Sequence, residues 1–441
     1  MRVMNYESLV GKSILLLGKS RALNAEEFDA LLKLHKISRV SSYNEDVALI
    51  IEGRMMNPYE QEESARLYEN EQSPIVELSA FEEWLCRSIE PNRLLMSLKL
   101  SRNQERLVDF LQNPYIMDEL FFKLLKLYDW QNEGLFDNDT NRDVTAAIIG
   151  RFYVELDRNH NVQYAMSGLA HLIERYGNRE LISAIAELSP IASEIKHPHD
   201  RSLNGVLDAI ALHSDTQENV LQALMGERAH LLAHREPLAL ESELLALKDE
   251  ALNVILAQNI TLSPKGALQL ESTYPDLIAS KTVLDEERFE RLMNFVIPCH
   301  DTESTIIGDG SRIKYGMTVI VALASNISLN GVMQQKLYAL GDDTVSEALA
   351  SNPITEGEIL DHLFERGEFS VSLASNPSLP SGKLESLASG SDAEVLSALA
   401  SNIATPIDTL YQLSLDRRFE RAVKTNPTFG KHIQTHNIGW F

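Results

Sequence analysis

The chain has 441 residues, an apolar share of 44%, and 40 Lys and Arg against 64 Asp and Glu, giving a formal charge of −24. That length exceeds one ordinary compact core and calls for several domains or an elongated array. So acidic a surface repels phosphate backbones, so wrapping of nucleic acid by the whole chain is not expected; a local basic patch remains open.

Cys86 and Cys299 are the only cysteines. Two such distant residues make neither a disulfide framework nor, alone, the ligand set of an iron–sulfur cluster. The N-terminus lacks the long apolar segment of a secretory signal, and the run Ile14–Leu17 is too short to cross a membrane. A cytoplasmic protein with no membrane contact and no cofactor is expected.

Ser13–Gly18 (SILLLG) reads as a buried strand. Ala25–Lys36 reads as a helix with Phe28, Leu31, Leu32 and Leu34 mostly on one side and acidic residues in its first turn. Arg39–Tyr43 is a short β-favouring run and Val47–Ile51 (VALII) an apolar strand. Asn57-Pro58 opens a charged helix to about Asn70, Pro74–Leu78 is a fourth strand, and Ala80–Ile89 is a closing helix that carries Trp84. This β-α-β-β-α-β-α order predicts a small α/β domain over residues 1–90 with a mostly parallel sheet. Gly11-Lys12-Ser13 and Gly18-Lys19-Ser20 imitate the end of a phosphate-binding loop, but Tyr6 and Ser13 stand where that loop needs its first glycine.

Over residues 8–90 the apolar first strand, the strand Val47–Ile51, and a last helix with Trp84-Leu85 followed by Ser88-Ile89 resemble the BRCT domain. Such domains often bind phosphopeptides through a Ser or Thr followed by Gly at the end of the first strand, with a Lys near the second helix. The resemblance points to Gly18, Lys19, Ser20 and Arg66 as contacts for a phosphate or a protein partner. Leu17 precedes Gly18, so the family's hydroxyl is absent and Lys19 or Ser20 has to replace it.

Residues 91–315 read as irregular helical repeats and 316–441 as a regular array with a C-terminal cap. Ala322-Leu323-Ala324-Ser325-Asn326 recurs in phase, ending at Asn352, Asn376 and Asn402, and Ala422–Asn426 follows; Pro comes next at 353, 377 and 427. Thr355-Glu-Gly-Glu358 fits a capping box, Ser381 starts the next helix, and Thr405-Pro406 fits an N-cap followed by a first-turn Pro. Asn tolerates the left-handed backbone that can end a helix, its amide can bond nearby backbone, and a following Pro disfavours helical geometry. Asn326, Asn352, Asn376, Asn402 and Asn426 are therefore read as a structural ladder of repeat turns. Weaker copies end at Asn259, His234, His213 and Asn113.

The Leu-Ala-x-Asn-Pro phrase over 315–430 resembles the leucine-rich repeat variant, a bacterial α-solenoid unit that alternates a longer helix with a short one; residues 91–315 resemble HEAT-like repeats. The resemblance implies a right-handed α-solenoid. Some members carry a cysteine-ligated iron–sulfur cluster ahead of the repeats; this chain lacks those cysteines, so the cofactor does not carry over.

Other candidates are weaker. His197, His199, His213, His230 and His234, with Cys299-His300 downstream, lack the paired spacing of a zinc site. Arg87, Arg93, Lys99, Arg102 and Arg106 make a basic stripe, Tyr128–Arg142 is a polar break, and the segment Cys299–Arg312 gathers His300, Asp301, Glu303 and Asp309. Carboxylates there would do acid–base work only in a pocket that raises one pKa. Arg417–Lys424 and the terminal Trp440-Phe441 read as a cap.

An α-dominated protein is thus expected, with a small N-terminal α/β domain and a helical array, serving as a non-catalytic scaffold or adaptor for a protein partner. The second reading is a nucleic-acid-associated replication or repair accessory factor, because BRCT-like domains often belong to such proteins.

Overall fold

Apolar runs without alternation need cover on both faces, and the first strands obtain it. The computed structural model describes residues 6–69, 73–153, 160–295, 306–307, 311–312 and 319–436. The fold is α-dominated with one small α/β part. That part contains β1 (Ser13–Leu17), α1 (Ala25–Leu34), β2 (Ser38–Val40), β3 (Val47–Glu52), α2 (Pro58–Glu69), β4 (Ile75–Glu77) and α3 (Leu78–Cys86). All four strands are parallel, in the order β2-β1-β3-β4, with Ile14 of β1 opposite Arg39 and Leu49.

Side chains alternate faces along a strand. Leu15, Leu17 and Ile50 cluster with Leu67 of α2, while Ile14, Leu49 and Ile51 are buried along with Phe28 of α1 and Phe81 of α3. Trp84 packs beside Tyr6, Phe81 and His35, at ring separations of 5.5, 5.5 and 4.4 Å. Asn24 caps α1 by accepting the Glu27 amide at 2.9 Å. At the start of α2, Asn57 and Glu60 exchange amide-to-side-chain bonds of 3.0 and 2.7 Å, a reciprocal box.

The helices that follow are α4 (Pro91–Ser101), α5 (Gln104–Leu111), α6 (Asp118–Leu125), α7 (Asp139–Phe152), α8 (Met166–Tyr176), α9 (Arg179–Ala186), α10 (Ser189–Lys196) and α11 (Asn204–Leu212). Chain contacts divide the protein into two units that part after Arg228, so these helices share a unit with the sheet. Helix α5 and the bend after it supply the ties: Arg106 pairs with Glu27, Asn24 donates to Asp109 at 3.1 Å, and Asn113 lies 3.4 Å from the Cys86 sulfur. The segment Tyr128–Arg142 is more than a polar break. Tyr128 and Trp130 are buried edge to face at 5.0 Å, and Asn141 accepts the Tyr128 hydroxyl and donates to Gly134 O.

Helix α12 (Glu218–Ala233) is kinked at Arg228, where φ is −125°. The second unit continues with α13 (Glu241–Ala246), α14 (Glu250–Ala257), α15 (Pro264–Glu271), α16 (Pro275–Lys281) and α17 (Glu286–Met293), then the short antiparallel pair β5 (Ile306–Ile307) and β6 (Ser311–Arg312). After these come α18 (Val319–Ala324), α19 (Gly331–Tyr338), α20 (Asp343–Ser351), α21 (Gly357–Arg366), α22 (Ser370–Ser375), α23 (Ser381–Ala388), α24 (Ala393–Ser401), α25 (Ile407–Ser414), α26 (Glu420–Thr425) and α27 (Pro427–Thr435).

From α14 to α26 the even-numbered helices form one row, each packed against the next. Leu256, Ile278, Leu323, Leu349, Leu373, Leu399 and Val423 are buried in turn along that row. The Ala that follows each of the five leucines keeps neighbouring helices close. Each helix pair buries its apolar side only against the pairs beside it, so stability is shared along the row. Among the described residues no helix is long and apolar enough to cross a membrane.

Burial pushes the Cys86 thiol up to about 11 from its ordinary 9.0; the Asn113 bond opposes this and the charge of Glu82 adds to it. The folded state therefore holds the neutral thiol while the unfolded chain ionises. Its stabilising contribution is full below pH 9 and is lost as pH rises through about 11. Chemical denaturation across this range should show Cys86→Ala flattening the alkaline loss of stability relative to the parent chain.

Candidate functional site

A helix leaves its last carbonyls without intrahelical partners, and a stack of short helices multiplies that debt. Here one buried amide per unit meets it. Asn352 Nδ2 donates to Ala324 O at 2.8 Å and Asn326 O at 2.9 Å. Asn376 reaches Ala350 O and Asn352 O, both at 2.8 Å, and Asn402 reaches Ala374 O and Asn376 O at 2.8 and 2.9 Å. Asn426 reaches Ala400 O and Asn402 O at 3.0 Å. Each Oδ1 also accepts the amide two residues onward, at 2.8 Å from Ser378 and 2.9 Å from Ala404. Both amide hydrogens and the oxygen are thus used.

The backbone at these positions corrects one expectation. Asn352, Asn376, Asn402 and Asn426 are extended, with φ between −80° and −68° and ψ between 118° and 126°, and none is left-handed. A following Pro at 353, 377 and 427 favours that extended region. The caps at Thr355 and Thr405 are corrected as well. Helix α21 starts after Glu356 and α25 after Pro406, and the two hydroxyls instead donate to Leu349 O and Leu399 O at 2.7 Å. A buried Thr closes its own bend before the helix begins.

Bond geometry also sets the register upstream. Asn259 Nδ2 donates to Ala233 O and Arg235 O, both at 2.8 Å, so buried Arg235 rather than His234 holds the ladder place. Asn326 Nδ2 donates to Ala279 O and Thr282 O at 2.7 and 2.8 Å, which puts buried Thr282 in the ladder, a residue the sequence pattern gave no reason to select. Buried Arg288 braces this bend, donating to Thr282 Oγ1 and Val283 O. In the first unit His213 Nδ1 accepts the Asp215 amide at 3.1 Å, repeating the asparagine pattern.

From Asn259 onward the residue after each ladder position is apolar, whereas Glu236 follows Arg235; all but the half-buried Pro377 are exposed. Ile260, Val283, Ile327 and Ile403 are 40%, 63%, 63% and 55% exposed, and Pro353, Pro377 and Pro427 hold the same place in their units. The ladder repeats once per helix pair, so this row repeats with it. Serine and threonine hydroxyls link neighbouring bends beneath: Thr428 donates to Ile403 O at 2.6 Å and Ser378 to Pro353 O.

In the α/β part, Gly18, Lys19 and Ser20 lie at the carboxyl end of β1 and line a cleft of about 970 Å³. Parallel sheets commonly bind ligands beyond the carboxyl ends of their strands. Here most of the backbone donors are already taken. Gly18 N–H donates to Glu60 at 3.1 Å, and the amides of Arg21, Ala22 and Leu23 converge on fully buried Glu82 at 2.9 to 3.3 Å. The amides of Asn57 and Gly18 hold the Glu60 carboxyl below its usual range. Gly18 has a φ of +83°, and a Cβ there would stand 2.5 Å from Arg54 O, so only glycine fits. Arg66 is not among the residues lining the cleft; it sits on exposed α2, 3.6 Å from Glu63.

The basic stripe is largely neutralised, with Arg87, Arg93 and Arg106 paired to Glu83, Glu90 and Glu27. Among the described residues no three His, Cys, Asp or Glu side chains are grouped to hold a metal ion. Cys299, His300, Asp301, Glu303, Asp309 and the terminal Trp440-Phe441 lie outside the described residues. No family model, no curated protein and no solved structure matches this chain.

Replacing Asn376 by Leu strands the carbonyls of Ala350 and Asn352. At about 1–3 kcal/mol for each buried unsatisfied group, the unfolding free energy should fall by at least about 2 kcal/mol in urea titration. Ser375→Ala, at the exposed neighbour, should stay within about 0.5 kcal/mol of the parent.

Proposed function

We propose that this chain is a non-catalytic protein-interaction scaffold, a cytoplasmic adaptor whose α-solenoid array presents a repeated face to a protein partner. The supporting observation is the exposed row of Ile260, Val283, Ile327 and Ile403, with prolines at the intervening places, held in register by the amide ladder beneath. Apolar side chains exposed singly are ordinary, whereas a row repeating with the architecture marks a contact surface. An array whose units are fixed to their neighbours offers such a row already ordered, which lowers the entropic cost of docking.

The resemblance to the leucine-rich repeat variant fits this reading, as does a BRCT-like head acting as a second contact module. The head's tightly bonded amides favour protein-surface contact over phosphopeptide capture, since the donors a phosphate would need already serve Glu60 and Glu82. The nucleic-acid reading draws less support, with most of the basic stripe engaged in ion pairs.

Affinity capture with the full chain, followed by mass spectrometry of retained proteins, tests the proposal. Ile327→Glu combined with Ile403→Glu should lower retention of a specific partner about tenfold, equivalent to about 1.4 kcal/mol. Thermal unfolding should be nearly unchanged, because both side chains are exposed. Retention that ignores these changes would remove the row from the account.

A further inference from the structure

The cleft at the end of β1 gathers four cationic side chains in a protein of charge −24. Lys19, Arg21, Arg39 and Arg151 line it against Asp109 and Asp143. Arg39 and Arg151 are paired, with Asp29 and Asp118. Lys19 and Arg21 are exposed and make no ion pair among the described residues. With the nearby backbone donors serving Glu60 and Glu82, recognition here falls to side chains.

Beyond α5 and α7 the sign of the lining reverses. A second cleft, of about 690 Å³, shares Asp109, Gln112 and Asp143 with the first and adds Glu105, Asp129 and Glu133 with no Lys, Arg or His in its lining. Glu105 and Asp143 have no cationic partner among the described residues. The two clefts thus adjoin at Asp109, Gln112 and Asp143, a groove with its cationic side chains at the sheet end and carboxylates alone among the charged groups at the Tyr128–Arg142 end.

We infer that this groove binds an extended polypeptide segment whose charge changes sign along its length, with acidic residues over Lys19 and Arg21 and basic residues over Glu105 and Asp143. Opposed charges fix the direction in which such a segment lies and disfavour other occupants. A nucleic-acid strand has uniform charge, so the acidic half repels what the basic half attracts. A purely acidic peptide meets that repulsion and the net charge of the whole protein. The inference rests on the interaction reading and adds the chemistry of one partner segment.

The test is fluorescence anisotropy with the full chain at low salt. The probes are a labelled peptide joining a lysine run to a glutamate run through a glycine–serine spacer, all-lysine and all-glutamate peptides, and single-stranded oligothymidine. The two-sign peptide should bind most tightly and weaken as salt is added. Lys19→Glu with Arg21→Glu, or Glu105→Lys with Asp143→Lys, should each weaken it at least about tenfold. All four changes together should restore binding, because the peptide can lie the other way round; the restoration also shows that the variants are folded. Equal or tighter binding of oligothymidine or of the all-glutamate peptide, or two-sign binding unchanged by either pair, overturns the groove. Partner retention that still depends on Ile327 and Ile403 would leave the scaffold reading standing in that event.

Discussion

A carbonyl without a donor in a dry interior is the constraint on which the second unit depends. Short helices stacked side by side expose many such groups, and one asparagine per unit binds two of them on the preceding unit while taking an amide of its own bend. The bonds fix distance and register together, because a slipped pair would strand acceptors at a cost of about 1–3 kcal/mol each. Leucine and alanine just before the asparagine supply burial and close approach. Neither of them chooses a register; the amide does.

The α/β part solves the mirror-image problem. There the orphans are donors, the amides of Gly18 and of Arg21 to Leu23, and carboxylates from α2 and α3 meet them. Glu82 is fully buried and yet surrounded by N–H groups, which makes a lone carboxylate tolerable inside the protein. Two polar devices of opposite sense thus hold the two kinds of architecture. The carboxylate device consumes backbone groups that a ligand at the end of β1 would otherwise meet, and this leaves side chains as the means of recognition there.

Much of this was legible in the sequence, for reasons that also explain what was not. Ile14–Leu17 and Val47–Ile51 announced themselves as unbroken apolar runs, α1 by one-sided apolar residues behind an acidic first turn, and α2 by Asn57-Pro58. The asparagine phase was visible because five side chains of one type recur at nearly constant spacing. Thr282 and Arg235 were invisible because what the ladder needs from the earlier unit is a backbone carbonyl, and any residue type supplies one. The same indifference misplaced the register at His234. Capping was misread at Thr355 and Thr405 because a hydroxyl three residues past a bend suits a cap and a bend closure equally well, and only coordinates choose between them. The charge-divided groove could not be read at all, since its walls come from segments far apart in the chain.

The bond from Asn326 to Thr282 spans 44 positions, where the succeeding rungs span 24 to 26. The stack therefore specifies where the chain leaves and where it returns, and is indifferent to how much polypeptide lies between. Closing a longer excursion costs only a slowly growing entropy. A protein built in this way can acquire new modules at a junction between helix pairs without relearning how to fold, and the Thr282–Asn326 interval is the natural port for one.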